Sequence, residues 1–124
     1  MADLTGGEPG DIGHVNAHGT STPLNDAAEA AALAKVFGPS AVPVTSGKGV
    51  TGHLIGAAGA VEAVGSLLAL RHGLVPPTAN HGQRGEGIEV DVVAGAPREV
   101  AAAPVVSNSF GFGGHNATLV LGPA

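Results

Sequence analysis

The chain has 124 residues, enough for one domain at most, with 12% charged residues and a formal net charge of −5. Its hydrophobic fraction of 44% excludes a disordered chain, and the absence of cysteine excludes disulfides and thiolate metal sites. The five basic residues, Lys35, Lys48, Arg71, Arg84 and Arg98, are scattered, which excludes a nucleic-acid-binding patch. There is no Trp and no Tyr, and Ala, Val and Gly dominate, so an isolated core would be thin and the chain reads as a piece of a larger packed body. The N-terminus has no signal pattern, and a soluble cytoplasmic protein is expected.

Residues 1–11 are polar and rich in glycine and proline, and read as a leader or linker ahead of a domain over 12–124. Ile12 to Asn16 reads as a short buried strand ending at Asn16-Ala17-His18-Gly19-Thr20-Ser21-Thr22. Thr22-Pro23 announces a helix, with Thr as the cap and Pro at the first helical position. Leu24 to Phe37 fits that helix, Asp26 and Glu29 lie near its positive end, and Gly38-Pro39 stops it. Val42 to Ser46 reads as a second strand feeding the loop Ser46-Gly47-Lys48-Gly49-Val50-Thr51-Gly52-His53.

Leu54 to Leu70 is apolar nearly all round and is expected to be a buried helix. It is short for a membrane span, carries Glu62 mid-run, and has Gly56, Gly59 and Gly65 to suit close packing. Arg71-His72-Gly73 closes it, and Pro76, Pro77 and Gly82–Gly87 mark a loop. Strands are expected over Ile88 to Val93, Pro104 to Ser109 and Ala117 to Leu121. The last two flank Phe110-Gly111-Phe112-Gly113-Gly114, which reads as a hairpin turn. The order predicts an α/β chain with a sheet covered by helices.

Two histidines carry the chemical interest. His18 follows one strand and His53 follows the next, so both can face a ligand at the strand ends. Thr20, Ser21 and Thr22 add hydroxyls beside His18. A metal held by the pair would need further ligands, and His14, His72, His81 and His115 show no ligand spacing, so no metal is expected. Glu62 in an apolar helix should not be buried alone, and Lys48 is the nearest cation along the chain. They are expected to pair, either as a structural element or as one that also tunes His53. Gly111-Phe112-Gly113-Gly114 is either a mobile loop around one aromatic or a plain turn.

These runs together resemble the C-terminal half of a β-ketoacyl-acyl carrier protein synthase, a condensing enzyme of thiolase-like fold. The matching stretches are Val15 through Asp26, Lys48 through Glu62, Pro76-Pro77-Thr78, and Ser107 through Asn116. The resemblance covers Ile12 to the end, and Thr51-Gly52-His53-Leu54-Ile55-Gly56-Ala57-Ala58-Gly59 is closer to type II elongation synthases than to modular polyketide synthases. It implies a mixed sheet covered by helices, one of them buried, and a decarboxylating Claisen condensation of malonyl-acyl carrier protein with an acyl thioester. It implies His18 and His53 as the histidines of a Cys-His-His triad, and Lys48 as a site lysine paired to Glu62. Thr20 and Thr22 would line the phosphopantetheine arm, with Phe110 and Phe112 on the gating loop. It implies no cofactor beyond the carrier protein's phosphopantetheine, acyl carrier protein as partner, a homodimer, and an N-terminal half bearing the nucleophilic Cys. His115 stands where Thr is common in that family. Two other readings are a non-catalytic chain-length-factor-like subunit and a small module binding an anionic ligand.

Overall fold

The structure, a computed structural model, describes residues 7–123. A five-stranded sheet forms its centre. Its strands are β1 (His14–Asn16), β2 (Pro43–Thr45), β4 (Asp91–Val92), β6 (Val105–Phe110) and β7 (Asn116–Leu121), in the spatial order β4-β2-β1-β6-β7. β4, β2, β1 and β6 run parallel, whereas β7 returns antiparallel to β6. β1 is thus the middle strand, buried at His14, Val15 and Asn16 alike, as expected of a parallel strand covered on both faces. A two-stranded antiparallel ribbon, β3 (Leu74–Val75) with β5 (Arg98–Glu99), stands apart.

Helix α1 (Pro23–Phe37) connects β1 to β2. Thr22 occupies its cap position but does not cap through its side chain; its carbonyl accepts the Asp26 amide, and its hydroxyl pairs with Thr20 instead. Gly38, at φ 97°, ends the helix. Ala30 and Leu33 face the sheet, where Leu33 joins Val15, Ala17, Val42, Val44 and Val106 in the main core, flanked by Ile12, Phe37, Val90 and Val120.

Val15 and Ala17 point to α1, so His14, Asn16 and the start of the His18 loop face the opposite side. That side is covered by α3 (Ala58–His72), which packs on β6. α3 turns in Ala58, Glu62, Ser66 and Ala69 and leaves Val61, Val64, Leu67 and Leu68 exposed. An all-round apolar helix needs cover on every side, and a chain of this length covers one. Gly73, left-handed at φ 62°, closes it.

Several sequence expectations are corrected in detail. The segment after β2 is not an open loop: Lys48–Thr51 forms a single helical turn, α2. The next helix starts at Ala58, not Leu54, because Ile55 sits at φ 51° and a 3-10 turn over Ile55–Ala57 intervenes. Of the three helix glycines only Gly59 marks a close approach, where an added Cβ would lie 3.2 Å from the Ser109 hydroxyl; Gly56 and Gly65 meet nothing within 4 Å among the described residues. The strand expected over Ile88 to Val93 shrinks to β4, and the two-residue strands β3 and β5 were too short to leave a periodic signal. Arg98 on β5 grips the Asp91 carboxylate of β4 with both terminal guanidinium nitrogens, tying the ribbon to the main sheet. Phe110 ends β6 rather than opening the turn, which is a 3-10 turn over Phe112–Gly114. Of the expected leader, residues 1–6 lie outside the described residues, and Pro9–Asp11 forms a 3-10 turn against α1.

Candidate functional site: two histidines at adjacent strand ends

β1 and β2 are parallel neighbours, so the junctions after them open on the same edge of the sheet. That topology brings His18 and His53 together. Their rings lie 5.4 Å apart between centroids, nearly perpendicular at 83°, and the Phe110 ring at the end of β6 sits 5.6 Å from His18. His18 is buried and His53 exposed, so the pair forms one wall of a site that opens outward.

The two imidazoles are held in different ways. The His18 loop is fixed through its backbone: the amides of His18 and Gly19 donate to the two oxygens of the buried Glu29 carboxylate, each at 2.9 Å. Glu29 also accepts from the Asn108 side chain on β6, and Asn108 in turn accepts from Thr118 on β7. A carboxylate taking two backbone amides is a strong, directional clamp. In the sequence Glu29 is only an acid near the positive end of a helix. Its partner is the backbone of a loop ten residues upstream, and such a contact leaves no side-chain pattern.

His53 is fixed through its ring. The Ile55 amide donates to Nδ1 at 3.2 Å, and an accepting Nδ1 leaves the proton on Nε2. Ile55 reaches it from a left-handed backbone, rare for a β-branched residue and costing of order 1–3 kcal/mol. Burial pushes the His18 pKa below its ordinary value; the Lys48 ammonium and His53 lower it further, against the opposing pull of Glu29 and Glu62. His18 is therefore neutral at neutral pH, with its buried Nδ1 free of any partner among the described residues.

Lys48, at the start of α2, makes a buried ion pair with Glu62 of α3, as its position predicted. Both side chains are almost wholly buried, and one Glu62 oxygen, Oε2, has no partner among the described residues. A double-mutant cycle on the unfolding free energy of the assembled protein, with Lys48→Met and Glu62→Gln, is expected to show coupling of at least ~1 kcal/mol. Additive losses would mean that each charge is stabilised elsewhere.

The remaining sequence candidates fall in two places. Thr20 and Thr22 stand together at the entrance to α1, their hydroxyls 3.1 Å apart. Thr20 lines a cavity of about 430 Å3 with Ser46, Lys48 and Thr78; neither histidine lines it. Phe112 lies at the tip of the glycine turn and is 100% exposed, so it makes no part of the core. Phe112→Ala is accordingly expected to change unfolding free energy by less than ~0.5 kcal/mol. A loss near ~3 kcal/mol, the cost of emptying a core site, would contradict this.

The parallel sheet thus carries two histidine-bearing junctions at one edge, beside a buried Lys–Glu pair, on an α/β fold. Residues 2–82 match the family described as beta-ketoacyl synthase, C-terminal domain. The chain is 50% identical over 115 residues to 3-oxoacyl-[acyl-carrier-protein] synthase 2 of Coxiella burnetii, a match covering 91% of this chain and 28% of that protein. It is 45% identical over 119 residues to the protein of the same name in Mycobacterium tuberculosis, covering 96% and 28%. Among solved structures, the ishigamide ketosynthase/chain length factor superimposes with a TM-score of 0.93 at 38% identity, covering all of this chain and 31% of that one. A type II polyketide ketosynthase, solved with its acyl-carrier protein and bound to the hexaketide, superimposes at 0.86 with 28% identity, covering 94% and 29%. This chain belongs to the β-ketoacyl synthase family, as its C-terminal domain. It spans a little over a quarter of the length of the curated relatives it matches.

Proposed function

We propose that this chain is the C-terminal part of a 3-oxoacyl-acyl carrier protein synthase and supplies the malonyl-decarboxylating side of its site. The observation that carries the reading is the meeting of His18 and His53, with rings 5.4 Å apart, beside a buried Lys–Glu pair. The malonyl thioester carbonyl sits between the two imidazoles. The bond to the carboxyl group breaks, CO2 leaves, and the electron pair moves onto the thioester as an enolate. His53 donates from Nε2 and neutral His18 donates from its own ring N–H, so the oxyanion forms against donors already in place, usually the largest catalytic contribution. The enolate carbon then attacks the acyl thioester on a cysteine of the N-terminal half, and the thiolate leaves as the new carbon–carbon bond forms.

Lys48 and Glu62 set the charge around the histidines. Thr20 and Thr22, paired at the mouth of α1, bind the phosphopantetheine arm that carries the substrate, and no further cofactor takes part. Phe110 bounds the site beside His18, and Phe112 on its glycine hinge gates the acyl chain. The partners are acyl carrier protein, the Cys-bearing half and a second copy of the enzyme, working in the cytoplasm. The exposed Val61, Val64, Leu67 and Leu68 of α3 supply apolar area for the Cys-bearing half to cover. Among the described residues no helix is long and apolar enough to cross a membrane.

The test is release of CO2 from malonyl-acyl carrier protein by the assembled enzyme with its cysteine alkylated, so that decarboxylation is read apart from condensation. Release is expected, and its loss on His18→Ala. An enzyme that condenses but never decarboxylates malonyl groups would contradict the reading.

A further inference from the structure

We propose that Thr78 and Asn80, on the segment that follows β3, are positioning residues that hold the Lys48–His53 segment in register with the His18 loop. The inference rests on the function proposed above and concerns residues that touch neither histidine. Pro76-Pro77-Thr78 stood out in the sequence without any chemistry of its own, since two prolines and a threonine offer no acid, base or nucleophile.

The structure shows what the segment is tied to. The Thr78 amide donates to the Val93 carbonyl at 2.7 Å, pinning the segment just beyond β4. The Thr45 hydroxyl donates to the Pro76 carbonyl at 2.8 Å, so the 3.3 Å contact between the two threonine hydroxyls must run from Thr78 to Thr45. The Thr78 oxygen remains free to accept the Ser46 amide at 3.2 Å. Thr78 is thus satisfied as donor and acceptor at once, on the last residue of β2 and on the residue after it.

Ser46 carries the effect into the site. Its hydroxyl donates to the Gly19 carbonyl at 3.0 Å and accepts the Lys48 amide at 3.3 Å. One side chain therefore bridges the loop that bears His18 and the turn that starts at Lys48. There is no slack at this bridge: a Cβ on Gly19 would lie 2.6 Å from Ser46 Cβ and Oγ. Asn80 makes the second tie, its side-chain amide donating to the Gly49 carbonyl at 2.9 Å. It does so from a left-handed backbone at φ 59°, a conformation that asparagine tolerates. Gly49 meets the segment so closely that a Cβ there would stand 2.2 Å from the Ala79 carbonyl oxygen. α2 is a single turn with four residues, too short to fix its own direction, and His53 follows two residues after it. The Thr78–Asn80 segment fixes that direction from outside, and the two prolines limit the conformations it can take.

Three variants of the assembled enzyme test this: Thr78→Val, which keeps shape and removes the hydroxyl; Thr78→Ser, which keeps the hydroxyl; and Asn80→Gly, which keeps the left-handed backbone and removes the side-chain amide. The readouts are kcat and KM for malonyl-acyl carrier protein decarboxylation, beside thermal unfolding. Thr78→Val is expected to lower kcat about 10-fold with KM little changed, and Thr78→Ser to stay close to the parent, because misplaced donors weaken the transition state more than the ground state. Asn80→Gly is expected to lower kcat in the same sense. A folded Thr78→Val enzyme with parental kcat overturns the inference, whatever its Tm. If Thr78→Val does not fold, Asn80→Gly decides: parental kcat overturns the inference, a lowered kcat with unchanged KM sustains it. A parent enzyme that releases no CO2 overturns the function proposed for the site, and this inference with it.

Discussion

Replacing His53 by alanine in the assembled enzyme is expected to lower malonyl decarboxylation by at least ~100-fold, the usual cost of removing one preorganised oxyanion donor. The size follows from how the ring is held. Its Nδ1 accepts the Ile55 amide, so Nε2 is committed as the donor before substrate arrives. His53→Gln keeps a donor but loses the lock from Ile55, and should fall between the parent and the alanine variant. His53 is exposed in this chain, so the alanine variant should unfold like the parent, which separates lost chemistry from lost structure. Decarboxylation unchanged in His53→Ala would remove this residue from the role proposed for it.

Acidification should destabilise the assembled protein through His14. This residue opens the central strand, 2% exposed, with neither ring nitrogen bonded to any described residue. Burial lowers its pKa from 6.5 to about 4. The folded protein therefore resists a proton that the unfolded chain accepts readily. The stability contributed by a neutral His14 is complete above pH 6.5 and is lost as pH falls from 6.5 toward 4, to a limit of about 3 kcal/mol. His14→Phe fills the same volume with a group that does not titrate, and should flatten this part of the stability profile. Parallel profiles for parent and variant between those pH values would show that His14 finds a partner in the assembled protein.

The features that were legible from the chain are those written in short-range pattern. The β1–α1–β2 order follows from Thr22-Pro23, Gly38-Pro39 and two short apolar runs, and parallel neighbours then bring His18 and His53 to one edge. The Lys48–Glu62 pair followed from charge economy, since an apolar helix leaves Glu62 few alternatives. What escaped is tertiary. Glu29 clamps two backbone amides across a turn of chain, and Asn108 reaches it from 79 residues away. Ile55 adopts a backbone conformation its side chain disfavours, so local propensity pointed to helix where a 3-10 turn stands. β3 and β5, with two residues each, exist only through their pairing. His14 gave no sign of being an unpartnered buried group, because its neighbours along the strand are equally buried.

These residues are proposed to supply half of a condensing site, with two histidines and no cysteine. The most direct test expresses the 124 residues alone and again with a Cys-bearing N-terminal half, and follows acyl loading and β-ketoacyl product formation from malonyl-acyl carrier protein in each. With no cysteine in the chain and the Val61, Val64, Leu67 and Leu68 face of α3 uncovered, the chain alone should load no acyl group, form no product and unfold without cooperativity. The assembled enzyme should load the acyl group, form the product and unfold cooperatively. A monomeric 124-residue protein that unfolds cooperatively and condenses acyl and malonyl groups by itself would contradict the account.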